Sequence, residues 1–183
     1  MRILIDADSC PKPVRALVLR TSQKKKIPAI FAANRIIPEL KQFLKQDQGG
    51  AEKDSGAVME VCSVSEGSAD NRIVELARQG DLVVTRDVPL AERLVDAGVN
   101  VLDDRGRIFT RENIRYYRSL RDFTVDLATT GEGMERTANF GKKDLKNFAD
   151  SFDRELTRLL KNKSYAVTPN REPLDCREQA GPL

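Results

Sequence analysis

The sequence predicts a three-layer, doubly wound α/β fold on a mostly parallel five-stranded sheet in the order 3-2-1-4-5, with additional helices at the C-terminal end. Three observations predict it. Short β-branched runs alternate with amphipathic stretches through five units. Prolines open and glycines close several of the intervening stretches, as helix ends require. Acidic residues recur where strands end, and an open α/β sheet binds ligands there, at the reversal of strand order. Right-handed crossovers leave few other topologies.

The elements follow in order. RILI is a buried first strand, and Pro11 and Pro13 suit the first turn of a helix, where a missing N–H costs nothing. VRALVLRTSQ places Val14, Leu17 and Val18 on one face, and Lys24, Lys25 and Lys26 close that helix with favourable charge. AIFAAN is the second strand, RIIPELKQFLKQ a shorter helix, QDQGGAEKDSGA an exposed loop and VMEVCSV the third strand. In SADNRIVELARQGD, Ser68 is expected to cap a helix, Ile73, Val74 and Ala77 to face inward and Gly80 to stop it. DLVVTRD is strand four, PLAERLVDAG the next helix and VNVLDD strand five. Two longer helices follow. In the first, Thr110 caps and Ile114, Tyr117, Leu120, Thr124 and Leu127 mark the inward stripe. In the second, Leu145, Phe148, Phe152, Leu156 and Leu159 do so. Residues 1–160 therefore form one domain, and the polar, proline-bearing stretch 161–183 is expected to be a disordered tail.

Composition narrows the chemistry. Among 183 residues there is no histidine, which excludes imidazole acid–base catalysis, Ser-His-Asp triads and histidine-rich zinc sites. Three widely spaced cysteines, Cys10, Cys62 and Cys176, form no CxxC pair and point to free thiols in the cytoplasm. No apolar run has membrane-spanning length, and the basic-poor start is not a secretory signal. A net charge of +3 neither demands nor forbids an anionic partner.

The carboxylates remain. Asp6 and Asp8 fall at the end of strand one, Asp87 just past strand four, Asp103 and Asp104 after strand five, and Asp70 in the first turn of the helix leading into strand four. Two like charges at 4 Å repel by ~4 kcal/mol at an effective dielectric near 20. A hard divalent cation, Mg2+ or Mn2+, relieves that repulsion with oxygen ligands alone and activates water for phosphodiester cleavage. Structural roles compete at each position: a helix-start acid for Asp70, an N-cap for Asp87, a helix-entry turn for Asp8 and an Asp-Asp-Arg-Gly turn for Asp104. Asp6, ending an apolar strand inside the fold, has no such inexpensive role.

DADSCP, AAN, SADNRIVELARQGDLVVTRDVPLAERLVDAGVNVL, RGRIFTRENI and RDF together resemble the YaiI/YqxD family of bacterial proteins over roughly residues 1–160. That family's fold is regarded as PIN-like, and PIN-like domains are metal-dependent nucleases acting mostly on RNA. The resemblance implies Asp6 as the first acid, Asp70 as the helix acid and Asp87 as the strand-four acid, these three being catalytic. Asp8 belongs to the family's own DAD signature, and Asp103 stands for the fourth metal ligand, where the family commonly carries Asn-Pro-Arg-Gly. Asn34, Asn71 and Thr85 are implied as supporting or substrate contacts. Separately, Arg107, Arg111, Arg115 and Arg118 recur at three- and four-residue steps and could track a nucleic-acid backbone, against the alternative of a solvated face.

Two other functions compete with a Mg2+- or Mn2+-dependent ribonuclease. ILIDAD also fits the start of a haloacid-dehalogenase-like phosphatase, with Asp6 as nucleophile and Asp8 as general acid. A non-catalytic module that binds metal or RNA is the third.

Overall fold

The computed structural model describes residues 1–43, 56–63, 65, 67–129 and 139–165. Its centre is β1 (Ile3–Asp6), flanked by β2 (Ala29–Ala33) on one side and β4 (Leu82–Val84) on the other. With β3 (Ala57–Val61), β5 (Asn100–Leu102) and β6 (Ile108–Phe109) the sheet order is 3-2-1-4-5-6. The first five strands are parallel, in the predicted order, and β6 pairs antiparallel to β5. β6 is an addition to the expected five. Its two residues are too short for any periodic signal.

Strand alternation sends β1 side chains into two cores. Ile3 and Ile5 join Phe31, Met59, Val14 and Val18, covered by α1 (Lys12–Lys25) and by Phe148, Phe152 and Leu156 of α5 (Lys142–Tyr165). Leu4 joins Val83, Ile73, Leu90, Leu94, Phe109 and Ile114, covered by α2 (Ser68–Leu76), α3 (Val88–Asp96) and the start of α4 (Ile114–Thr129). The predicted α5 stripe is therefore the lid of the first core, and its two phenylalanines stack with ring centroids 5.3 Å apart. Truncating either to alanine removes about 3–5 kcal/mol.

Local expectations fail where neighbours outcompete local propensity. The stretch after β2 forms a 3-10 helix, Pro38–Phe43, rather than an α-helix. Ser68 does not cap α2. Its hydroxyl donates to Asn34 Oδ1 at 2.8 Å and to the Ser63 carbonyl, and Gly67, at φ 73°, stands at the cap position. That helix ends at Leu76, short of Gly80. At α4 it is Asn113 whose side chain closes the entry turn, accepting from Thr110 N–H at 2.9 Å and donating to the Ile108 carbonyl at 2.9 Å. The α4 stripe is buried at Ile114 and half-buried at Tyr117, but Leu120 and Thr124 are exposed. Past Tyr117, α4 is held by the ion pair of Arg118 with Glu92 of α3 rather than by the core. α5 runs on to Tyr165, past the expected boundary at 160. The remainder of the expected tail and most of the expected loop before β3 lie outside the described residues.

Candidate active site at the carboxyl edge of the sheet

Asp6 is the last residue of β1 and only 4% exposed. Its Oδ2 accepts the Thr85 hydroxyl at 2.8 Å and its Oδ1 the Ser9 N–H at 3.3 Å. Thr85, fully buried just past β4, is pinned by its own N–H to the Leu102 carbonyl at 3.1 Å. The same threonine oxygen accepts the Asp87 N–H at 3.0 Å. One hydroxyl thus joins the ends of β1 and β4. Asp87 in turn caps α3, its Oδ1 accepting the Leu90 N–H at 2.7 Å.

Asp70 lies in the first turn of α2, half-buried. Burial pushes its carboxyl above the ordinary range, and the charges of Asp6 and Asp87 push it further, with Arg93 opposing more weakly. Three acids from distant points of the chain therefore share one electrostatic field at the reversal between β1 and β4.

The other expected site residues are placed differently. Asp8 accepts the Asn34 N–H at 2.6 Å and Arg35 Nε at 3.0 Å, so both its oxygens tie the β1 exit to the β2 exit. Asn34 is bonded to Ser68 and Asn71 is exposed, accepting from Arg93 at 2.9 Å. Asp103 is a turn residue. Its Oδ1 accepts the N–H groups of Arg105 at 2.9 Å and Arg107 at 2.7 Å, closing the β5–β6 hairpin. The turn role expected of Asp104 thus falls to Asp103. Asp104 is 2% exposed, its Oδ2 has no hydrogen bond, and burial pushes its carboxyl up. Arg86 Nε stands 3.2 Å from that oxygen, as a charge neighbour outside hydrogen-bond alignment. Leu102 points into the core under α1 and α5, and β5 ends there, so strand parity gives no signal for Asp104 in the turn that follows; Asp6, still within β1, continues the face of Leu4 toward α2 and α3.

The arginine stripe does not form one track. Arg118 is bonded to Glu92 at 2.5 Å and Asp122 at 3.1 Å, Arg111 donates to the Asp96 carbonyl at 3.3 Å, and Arg115 is exposed. Arg107 instead lies over the Tyr117 ring, 4.2 Å from its centroid.

Two residues near the site stand apart from any catalytic role. Burial, with the charges of Asp6 and Asp104, pushes the Cys10 thiol far up, which disfavours the thiolate there. Arg15, which the sequence reading missed, donates to the carbonyls of Ala7 (3.0 Å) and Cys10 and pairs with Glu39, folding the loop after β1 around its guanidinium. A basic residue one turn into a proline-opened helix was its only trace in the sequence.

A cation can be tested against this donor set. Among the described residues no three acidic or thiol side chains are grouped to hold an ion by themselves. Mg2+ does not require that. It keeps several waters and binds through one or two carboxylates plus substrate phosphate. Asp6 and Asp87 press on the Asp70 carboxyl, and a hard cation held by one or two of these acids and otherwise by water would relieve that repulsion. The phosphatase arrangement fits less well, because Asp8 is engaged by Asn34 and Arg35 rather than held beside Asp6 as a general acid.

No helix among the described residues is long and apolar enough to cross a membrane. No solved structure matches the chain. Among curated proteins it is similar to a UPF0178 protein of Treponema denticola, 42% identical over 163 residues, spanning 89% of this chain and 96% of the relative. A UPF0178 protein of Treponema pallidum is 42% identical over 161 residues, 88% of this chain and 84% of the relative. One of Syntrophobacter fumaroxidans is 38% identical over 162 residues, 88% and 97% of the two chains. The family model described as "Uncharacterized BCR, YaiI/YqxD family" matches residues 4–158, and the chain belongs to that family.

Proposed function

We propose that this protein is a Mg2+- or Mn2+-dependent phosphodiesterase acting on RNA. The observation that carries the reading is the Thr85 hydroxyl, which joins the Asp6 carboxylate to the Asp87 backbone and so fixes two acids at the ends of neighbouring parallel strands. The rise of the Asp70 carboxyl under the charges of Asp6 and Asp87 supports it.

Asp6, Asp70 and Asp87 would hold the ion, one or two of them directly and the rest through its waters. When bound, it supplies a lowered pKa for attacking water and charge stabilisation at the phosphoryl oxygens. The chain's own residues set the geometry. Thr85 fixes the Asp6 carboxylate through Oδ2, leaving little rotational freedom at the buried end of β1. Asp87 is oriented by its cap on α3, and α2 brings Asp70 from the other side.

The test is cleavage of a labelled single-stranded RNA with Mn2+, Mg2+ or EDTA, alongside thermal unfolding with and without Mn2+. Cleavage only with a divalent ion, reduced at least about a hundredfold in Asp6→Asn, supports the assignment. A rise in Tm with Mn2+ and every substrate intact replaces it with a non-catalytic binding module. Turnover of a phosphomonoester without RNA cleavage replaces it with a phosphatase.

A further inference from the structure

One face of α4 is apolar and is left uncovered by the rest of the described residues. The helix runs antiparallel to α3: Arg111, just before α4, donates to the Asp96 carbonyl at the end of α3, and Arg118 pairs with Glu92 one turn earlier. Ile114 and Arg118 therefore mark the side turned toward the core and α3. At about 100° per residue, Tyr116, Leu120 and Phe123 fall together on the opposite side. They are 64%, 44% and 56% exposed. Tyr116 is braced edge-on by Tyr117, whose own ring packs on Phe109.

This stripe is its own complement. Its members follow at four- and three-residue steps, the spacing of a seam between two helices. In an antiparallel pair of α4 helices about a two-fold axis at Leu120, each Leu120 meets its symmetry mate. Tyr116 then meets Phe123 of the second copy, and the contact occurs twice. Charge matches the same register. Arg115 borders the stripe on the flank that also carries Asp122 and Asp126. The two-fold sets position 115 level with position 125 of the second copy, so the guanidinium arrives between those two carboxylates. A parallel pair would instead set Arg115 beside Arg115. An ionised carboxylate offers about four lone-pair sites, so a donor from the second copy needs no vacancy at Asp126 or at Asp122, which already accepts from Arg118 and Arg121. The same two acids oppose a nucleic-acid occupant, because they flank Phe123 where a phosphate backbone would have to run.

We propose that α4 is a dimerisation helix, which packs antiparallel on α4 of a second copy of this chain with Leu120 at the two-fold axis. A single helix pair falls at the low end of specific interfaces, below about 1,200 Å² in total, so the dimer forms in the micromolar range. The inference is independent of the function proposed above.

Sedimentation velocity of the full chain at concentrations up to about 200 μM tests it, and no catalytic activity is needed. A monomer–dimer equilibrium is the expected result. Leu120→Glu sets two carboxylates against each other at the axis and weakens the dimer at least about a hundredfold. Arg115→Glu weakens it about tenfold, and Asp126→Lys added to the same chain restores most of that loss, a rescue that damage to the fold would not give. Leu120 is exposed, so Leu120→Glu changes Tm by less than about 3 °C. A protein that stays monomeric throughout overturns the proposal, as does a dimer indifferent to Leu120→Glu. A monomer in which Leu120→Glu lowers Tm by more than about 5 °C assigns the face to residues 130–138, the segment that follows α4, and overturns it too. So does a monomer whose RNA binding, read by anisotropy, weakens in Leu120→Glu.

Discussion

The Thr85 hydroxyl donates to Asp6 Oδ2 at 2.8 Å and, on its other side, accepts the Asp87 N–H at 3.0 Å. A buried carboxylate and a helix-entry amide thus depend on one oxygen. Thr85→Val keeps the shape and removes both bonds. Stability should fall by about 1–3 kcal/mol, since each buried partner is left unsatisfied. Thr85→Ser should recover most of it. Urea unfolding of both variants checks this. In the background of Asp6→Asn the cost of Thr85→Val should shrink, a non-additivity that a double-mutant cycle reads directly.

Asp70 provides the pH-dependent prediction. Its folded carboxyl is raised above the ordinary value of 3.8 by burial, Asp6 and Asp87. For an acid raised on folding, the ionised form is the strained one. Its cost is therefore fully present above the folded pKa and disappears as pH falls through that value toward 3.8. Asp70→Asn should stabilise the protein at pH 7, by under about 1 kcal/mol once solvent screening of a half-exposed group is allowed for. The gain should vanish near pH 4. Thermal unfolding across that range checks it, and a constant gain at every pH would exclude the electrostatic explanation. The same variant should weaken the Tm response to Mn2+, the usual exchange of stability for function at such a position.

How far these residues could be read from the sequence depended on the range of the interaction involved. The strand order was legible because each buried strand is followed by a helix whose ends carry proline or glycine. Asp6 was legible because an acid closing an apolar strand has few structural excuses. Asp70 and Asp87 were placed by the strand and helix scheme and given their roles by the resemblance, and the structure sets Asp70 in the field of both Asp6 and Asp87. Ser68 was misassigned because its partners, Asn34 and Ser63, arrive from other strand exits. The α4 stripe was overextended because periodicity reports that a helix is amphipathic and not how much of it is covered. Leu120, in the middle of the expected stripe, is 44% exposed.

Gly106 tests the packing of the β5–β6 hairpin on α5. Its φ of +88° is strained for any L side chain, and a Cβ would meet the Asn147 carbonyl at 2.5 Å. Gly106→Ala should cost about 1–3 kcal/mol, which in a domain of this size lowers Tm by roughly 2–4 °C per kcal/mol. Calorimetry checks the loss.

The neighbouring aspartates 103 and 104 make opposite predictions. Asp103 is the keystone of the hairpin, accepting two backbone N–H groups at 2.9 and 2.7 Å. Asp103→Ala strands both donors and should destabilise by about 2 kcal/mol. Asp104 is a buried charge whose Oδ2 has no hydrogen bond and whose carboxyl is raised chiefly by burial. Removing that charge relieves desolvation, and Arg86, 44% exposed, is then left to water. Asp104→Asn should therefore leave stability at pH 7 unchanged or increase it. Any gain should fade as pH drops toward 3.8, because the wild-type acid is then neutral as well. Urea unfolding of the two variants at pH 7 and pH 4 separates these cases. A large loss in Asp104→Asn would mean that the Arg86 pair holds the edge together and that Asp104 is a structural ion-pair partner rather than a strained buried acid.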